Sequence, residues 1–207
     1  MRATLFLTPP FRRAALLCLA AGYVDAYGYV ELGHVFAANM TGNTVLLGVA
    51  LMERDWARGL SYALTLGAFF LGALGTNALK RVLDRAYPPL LLAAVLLVIA
   101  GRLDLGPDLV LLLLAIAMGL QGAALNRFGT TPLQTVVITS TLLNLADGCV
   151  HPEARPRMPL LGAAWLAYGV GAATSVLLSA HLGIPLVPPA AMLVLVAADF
   201  ALSPRES

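Results

Sequence analysis

The chain is poor in charge. Only 12% of its 207 residues are Asp, Glu, Lys or Arg, whereas soluble domains average about a quarter. Hydrophobic residues make up 59%, and the mean hydropathy is +0.84. A surface with so few charges could not be kept in water, so the composition excludes a soluble globular domain and predicts a protein whose solvent is lipid.

Several signatures of other functions are also missing. The two cysteines, Cys18 and Cys149, have no CxxC or Cys/His spacing, so we interpret both as packing residues and expect no metal site. The net charge of +2 has no basic run behind it, which argues against nucleic-acid binding. Without HExxH, GxSxG or paired acids, we expect neither an enzyme nor a cofactor.

Long apolar blocks dominate the rest of the sequence. They are 14–30, 43–52, 59–79, 88–101, 107–125, 133–146, 159–181 and 185–202. Several approach the roughly 20 residues that a membrane-spanning helix needs. Segment 43–52 is short and 133–146 is rich in Thr and Ser, which indicates half-helices packed inside protein. We therefore predict an all-α, polytopic membrane helix bundle forming a single domain over 1–207.

The sequence of the first half of the chain is repeated in the second half. Residues 14–101 and 107–202 align at an offset that drifts from 97 to 100. The matched small residues lie four apart, so they share one face of a helix and permit close backbone approach. The clearest matches are Ala68, Gly72 and Thr76 with Ala167, Gly171 and Ser175, and Pro88 and Pro89 with Pro188 and Pro189. This pattern predicts a duplication, and we expect the small-residue face at 68–76 to pack closely on its partner face at 167–175.

The distribution of Lys and Arg bears on topology. If both short segments are re-entrant, six helices cross and ten of the basic residues lie inside with three outside; eight crossings would give nine and four. The positive-inside rule slightly favours six crossings. Three crossings per copy make the repeats inverted, with one short re-entrant or half-helix each, and place both termini in the cytoplasm.

Asp25 is the strongest functional candidate. It lies within the first apolar block, where an ionised carboxylate costs several kcal/mol unless it is paired or faces water. Gly22 and Gly28 flank it and would let the helix loosen. No Lys or Arg stands in a neighbouring apolar block, which suits a residue that exchanges a proton. The alternative is a structural Asp that hydrogen-bonds a neighbouring helix.

A polar stretch follows at 33–44. Asn39, Thr41, Gly42 and Asn43 precede or begin the short apolar segment, where free backbone N–H groups at a helix start could bind an anion or a small polar solute. Ordinary capping by Thr41 or Asn43 plus a turn is the alternative. From the second copy, Gln121 is expected to face Asp25 across a cavity between the repeats.

The motifs GYVDA at 22–26 and NMTGNT at 39–44 resemble the YoaK family of small bacterial membrane proteins. GLQ at 119–121 and the region of Thr139 are similar to that family's second signature, and the likeness runs over nearly the whole chain. The family usually has Asn after the Gln and Gly after the Thr, whereas this chain has Gly122 and Ser140, so no site role carries over to those positions. The resemblance implies a bacterial inner-membrane location.

Two functions remain open. The duplication, the intramembrane acid and the glycine-interrupted helices favour a small secondary transporter or permease for a small polar or anionic solute, with proton coupling through Asp25. The alternative is a non-transporting scaffold or accessory subunit in which Asp25 only ties two helices together. In both cases the lipid bilayer is the principal partner.

The six-crossing topology predicts that residues 54–58 face the outside. Single cysteines introduced there should react with a membrane-impermeant maleimide added to the outside of intact cells. Labelling only from the cytoplasmic side would instead indicate eight crossings.

Overall fold

The computed structural model describes residues 8–83, 85, 87–179 and 185–202. These residues form an all-α bundle, which confirms the predicted fold class. The helices are α1 (Pro9–Glu31), α2 (Met40–Glu53), α3 (Trp56–Leu83), α4 (Tyr87–Arg102), α5 (Pro107–Ala124), α6 (Ile138–Val150), α7 (Met158–Ser179) and α8 (Val187–Leu202). A short antiparallel pair, β1 (Arg127–Phe128) and β2 (Thr131–Pro132), follows α5, and a 3-10 helix (Pro152–Arg157) precedes α7.

Helix lengths agree with a membrane environment. Within the described residues, three helices are long and apolar enough to cross a bilayer, namely α3, α5 and α7 with its preceding 3-10 turn. Helices α4 and α8 are apolar but shorter, with 16 residues each. Both α1 and α5 begin with proline in the first turn, where the missing N–H has no intrahelical acceptor to lose.

Helices α1 and α7 run parallel and in close contact. Gly22 lies against Tyr168 and Gly171 against Leu19, so the two backbones meet near mid-helix. Toward their C-terminal ends, the Ser179 hydroxyl donates to Glu31 over 3.1 Å. The first helix of the chain therefore has its closest partner almost at the other end of the sequence.

Helices α3 and α5 form a second parallel pair. The Thr76 hydroxyl donates to the Leu120 carbonyl (3.0 Å), and one turn further along, Lys80 Nζ donates to the Ala123 carbonyl (2.8 Å). Because Lys80 reaches the last turn of α5, it supplies a donor to carbonyls that have no intrahelical partner.

The two pairs are antiparallel to each other. Gln121, near the end of α5, bonds the Leu17 carbonyl in the first half of α1, and the start of α5 lies beside the end of α1. The bundle thus has two ends. The arginine end is where α1 begins, with Arg12 and Arg13, and the opposite end is where α1 finishes at Glu31.

The short helices α2 and α6 begin inside the bundle. Asn39, which precedes α2, is bonded to Asp25 in the interior of α1, and Thr135, shortly before α6, contacts Gln121. Helix α2 ends close to the start of α3, and α6 ends close to the 3-10 helix that precedes α7. In each case the chain therefore returns to the end of the bundle from which it entered the interior. Helix α6 starts at Ile138, five residues after the apolar segment predicted from 133, because the strand pair and a turn take up 127–136.

Glycine permits the α1 and α7 backbones to touch. A Cβ built on Gly22 would lie 2.0 Å from the Tyr168 carbonyl oxygen, and one on Gly171 would lie 2.0 Å from that of Leu19. No side chain fits at either position, so each glycine faces the backbone of the partner helix. Close approach of this kind is how membrane helices associate without a hydrophobic effect between them.

The same reciprocal arrangement joins α3 and α5. A Cβ on Gly72 would lie 2.2 Å from the Ile116 carbonyl oxygen, and one on Gly119 would lie 2.1 Å from that of Phe69. The small-residue faces around Gly72 and Gly171 therefore do pack closely. Their principal partners are α5 and α1, so the expectation that these two faces pack on each other is wrong.

Replacing Gly72 with Ala should destabilise the bundle, because the added Cβ has only backbone to displace. Overpacking typically costs about 1–3 kcal/mol, and we expect a lower midpoint of thermal unfolding in detergent. Gly75→Ala on the same helix is the matched control, since a Cβ there meets nothing within 4 Å. Equal stability of the two variants would contradict the close crossing.

Candidate functional site

Asp25 is buried in the interior of the bundle, where protein groups donate to both of its carboxylate oxygens. Its side chain is 3% exposed. Oδ1 accepts from the backbone N–H of Ala38 (2.5 Å) and of Asn39 (3.1 Å). Oδ2 accepts from the Tyr168 hydroxyl of α7. Three donors on one carboxylate offset much of the cost of removing it from water.

The carboxylate lies at the start of α2. The N-terminal end of a helix carries partial positive charge and free N–H groups, so it binds anions. The sequence predicted such a site for a solute; in the structure the chain's own Asp25 occupies it. The backbone N–H groups of Ala38 and Asn39 therefore bind a carboxylate of the same chain in place of a solute.

The remaining residues of the predicted site shape the segment before α2. Asn39 is the N-cap, accepting from the Gly42 N–H over 3.2 Å, so the expectation that Thr41 or Asn43 caps this helix is wrong. The Asn43 amide bonds both backbone groups of Phe36, at 2.6 and 3.0 Å, and is fully buried. Thr41 is exposed and does not join the cluster.

Gln121 lies in a different place. Its amide nitrogen donates to the Leu17 carbonyl (2.8 Å) and to Thr135 (3.4 Å). Leu17 precedes Asp25 by two helical turns, which is roughly 12 Å along α1. The structure therefore brings Asp25, Asn39, Gly42 and Asn43 together and leaves Gln121 apart, nearer the arginine end.

Tyr168 is the member of the site that sequence reasoning missed. The absence of Lys and Arg from the neighbouring apolar blocks indicates an acid without a partner, whereas a phenol can donate to a carboxylate without adding a second buried charge. The sequence does contain a signal for Tyr168. It directly follows Ala167, which belongs to the small-residue face of α7 that is predicted to pack closely.

A cavity of about 630 Å³ opens at the opposite end of the bundle. It lies between residues 31–35, the start of α3 and the start of α5. Its wall is largely apolar, with leucines from all three elements. The polar side chains that line it are Glu31, His34, Arg58, Ser61, Thr65 and Asp108. Neither Asp25 nor Asn43 contributes to its wall.

Residues 32–39 connect the cavity to the carboxylate. His34 and Val35 line the cavity, and Ala38 and Asn39 bond Asp25. The segment is folded tightly onto α1: a Cβ on Gly28 would lie 2.7 Å from the Val35 carbonyl oxygen. Tyr29 stacks on Phe36 and meets the His34 ring edge-on, both at 4.9 Å between centroids.

An ionic clamp joins α1 to α8 at the arginine end. Asp199 of α8 accepts from Arg12 and from Arg13, whose Nε is 2.5 Å from Oδ2. The Arg13 side chain is buried and its guanidinium lies 3.7 Å from the centre of the Phe200 ring. A buried arginine is stable here because a carboxylate and an aromatic face both contact it.

These features define a class. An apolar bundle with long spanning helices, two interior-starting short helices and a buried acid is a polytopic α-helical membrane protein. Residues 13–198 match the family described as "Protein of unknown function (DUF1275)", and the chain belongs to that family.

A curated relative is also named as a transmembrane protein. The chain is 33% identical over 144 residues to "UPF0700 transmembrane protein YoaK" of Bacillus subtilis (strain 168), a match that covers 64% of each chain. The match thus spans somewhat less than two thirds of that relative's length. The resemblance to the YoaK family is confirmed. No solved structure matches the chain.

Removing the Tyr168 hydroxyl should weaken the α1–α7 contact. In Tyr168→Phe, Asp25 loses one of its three donors while remaining buried, which costs about 1–3 kcal/mol. We expect a lower unfolding midpoint in detergent. Tyr29→Phe is the control, because that ring is 39% exposed; a Tyr168→Phe variant as stable as this control would show that the bond contributes little.

Proposed function

We propose that the protein is a small secondary transporter that takes a small polar solute from one side of a bacterial inner membrane. The observation that carries this proposal is the asymmetry of the bundle. A cavity of about 630 Å³ opens at one end, and Asp199 clamps the other end through Arg12 and Arg13. A bundle open at one end and closed at the other is what one state of an alternating-access carrier requires.

The lining of the cavity narrows the solute class. Glu31 and Asp108 are acidic and Arg58 is basic, and apolar side chains separate them. Arg58 also lies 3.5 Å from Asp55, which offsets its charge. Groups of both signs around an apolar wall suit a small zwitterion such as an amino acid better than a simple anion.

Asp25 would act as a latch for the segment at 32–39. As a carboxylate it holds Ala38 and Asn39 by charge-assisted hydrogen bonds, and protonation would remove the charge and weaken both. Because the same segment lines the cavity through His34 and Val35, releasing it would change the cavity. A proton on Asp25 would in this way be coupled to solute access.

The repeat relation supports this proposal. Under the offsets of 97–100, α1 corresponds to α5 and α3 to α7, so the α1–α7 pair corresponds to α5–α3. The glycine crossings obey this relation: Gly22 corresponds to Gly119 and Gly171 to Gly72. Because α1 and α5 are antiparallel, this correspondence would make the copies inverted, which is the arrangement common in secondary transporters.

The distribution of Lys and Arg favours one orientation of the bundle in the membrane. The arginine end would face the cytoplasm with both termini, giving six crossings by α1, α3, α4, α5, α7 and α8. Ten basic residues then lie inside and only Arg54, Arg58 and Arg102 lie outside. The cavity would open to the outside.

The scaffold alternative rests on a specific observation. Asp25 has three donors and does not contact the cavity, as expected of a residue that only ties α1, α2 and α7 together. The two functions predict different results for a variant that removes the charge of Asp25 but keeps its hydrogen-bonding shape.

Asp25→Asn is the deciding variant. In proteoliposomes loaded with the pH dye pyranine and challenged with the amino acids one at a time, the wild type should move protons with its solute. The variant should fold with wild-type yield and lose this pH-dependent movement. Glu53→Gln, an exposed acid at the end of α2, is the control. If Asp25→Asn unfolds, or transport keeps its pH dependence, Asp25 is a structural tie.

A further inference from the structure

We infer that the solute is an amino acid with a long apolar side chain, bound with its two charged groups at the mouth of the open cavity and its side chain toward the floor. This inference rests on the proposed function and narrows the solute class from zwitterions in general. The observation behind it is the order in which charged and apolar residues occur from the mouth of the cavity to its floor.

Charged side chains surround the mouth of the cavity. Glu31 ends α1, Arg58 lies in the first turn of α3 and Asp108 in the first turn of α5, and all three are exposed. A solute ammonium group can bind the carboxylates, and a solute carboxylate can bind the guanidinium. The Nε of Arg58 is 3.5 Å from Asp55, which leaves the terminal N–H groups of its five donors for a solute.

The floor of the cavity is apolar. Val35, Thr65 and Leu111 line the same cavity, but their exposed fractions are only 3%, 0% and 3%. Val35 and Leu111 also pack in one buried cluster with Tyr62. The Thr65 hydroxyl donates to the Ser61 carbonyl over 2.7 Å, so its proton is used within α3. The floor therefore offers apolar contact and no charge.

The distance from mouth to floor suits a long side chain. Arg58, Ser61 and Thr65 are spaced three and four residues apart, so they lie along one face of α3. Thr65 is roughly 10 Å beyond Arg58 along the helix axis. Leu60 and Leu64 line the wall between these two depths. A small amino acid held at the mouth would leave the lower wall unfilled, whereas a side chain of several carbons would contact it.

Apolar burial favours a long side chain over a short one. Each methylene group removed from water tightens binding about fourfold. Norleucine has three methylene groups more than alanine, so full burial of its side chain would favour it by roughly 60-fold. A charged side chain, in contrast, would lose its hydration at a floor that supplies no opposite charge.

A homologous series of amino acids tests this binding mode. The full chain in nanodiscs is titrated calorimetrically with alanine, 2-aminobutyrate, norvaline and norleucine, and with hexanoate and pentylamine, each of which keeps only one charged group of norleucine. We expect Kd to fall about fourfold with each added methylene group. Norleucine should bind more tightly than hexanoate or pentylamine. Arg58→Gln should weaken norleucine binding and leave pentylamine binding unchanged.

A variant half-way down the wall tests the position of the side chain. Ser61 is partly buried and lines the cavity, so Ser61→Leu should shorten the space below the mouth. Norleucine should then bind no more tightly than 2-aminobutyrate. Ala63→Leu is the matched control, because Ala63 is an exposed residue of the same helix outside the cavity wall.

The wild-type series decides the matter even if Ser61→Leu folds poorly. Equal affinity along the series, no binding of any member, or hexanoate binding as tightly as norleucine would overturn the inference. Transport of alanine in proteoliposomes by a protein that does not bind norleucine would retain the proposed function and reject the apolar side chain. Norleucine binding that follows the series, in a protein that moves no solute, would retain the binding mode and reject transport.

Discussion

The carboxylate of Asp25 is the constraint around which this bundle is arranged. Inside a protein in lipid no water can solvate it, so its donors must come from the chain. It obtains them from the backbone ahead of α2 and from Tyr168 of α7. The end of α1, the start of α2 and the middle of α7 are fixed relative to one another as a result, and α2 enters the bundle at the depth of the acid.

Backbone contact divides the bundle into two units. The glycine crossings hold α1 against α7 and α3 against α5 so closely that neither pair can shift internally without collision. Between the pairs, contacts are made by side chains, and the cavity lies at this boundary. Movement of one pair against the other would meet fewer backbone collisions than movement within a pair, although α4 and α8 link the pairs by packing on α5, on α1 and on each other.

Much of this arrangement was predictable. The apolar segments agree with the helices to within a few residues, apart from 133–146, because a chain in lipid must satisfy its backbone within each helix. The burial of Asp25 and the close packing at Gly72 and Gly171 were also predictable. The phenol on Asp25 and the Asp199 clamp were not, since each joins groups whose proximity depends on how helices are placed side by side. The cap at Asn39 is a local contact, but the sequence offered Thr41 and Asn43 for the same role.

The sequence by itself determined the solvent, the helices and which helix faces would be packed, because hydropathy and small-residue spacing act locally along each helix. The tertiary structure alone decided which faces meet. It placed α7 on α1 and α5 on α3, although the matching faces of α3 and α7 looked equally suited to each other. The physical reason is that small-residue faces fit any close backbone, so their pairing is chosen by the polar groups beside them, here Asp25 with Tyr168 and Thr76 with the Leu120 carbonyl.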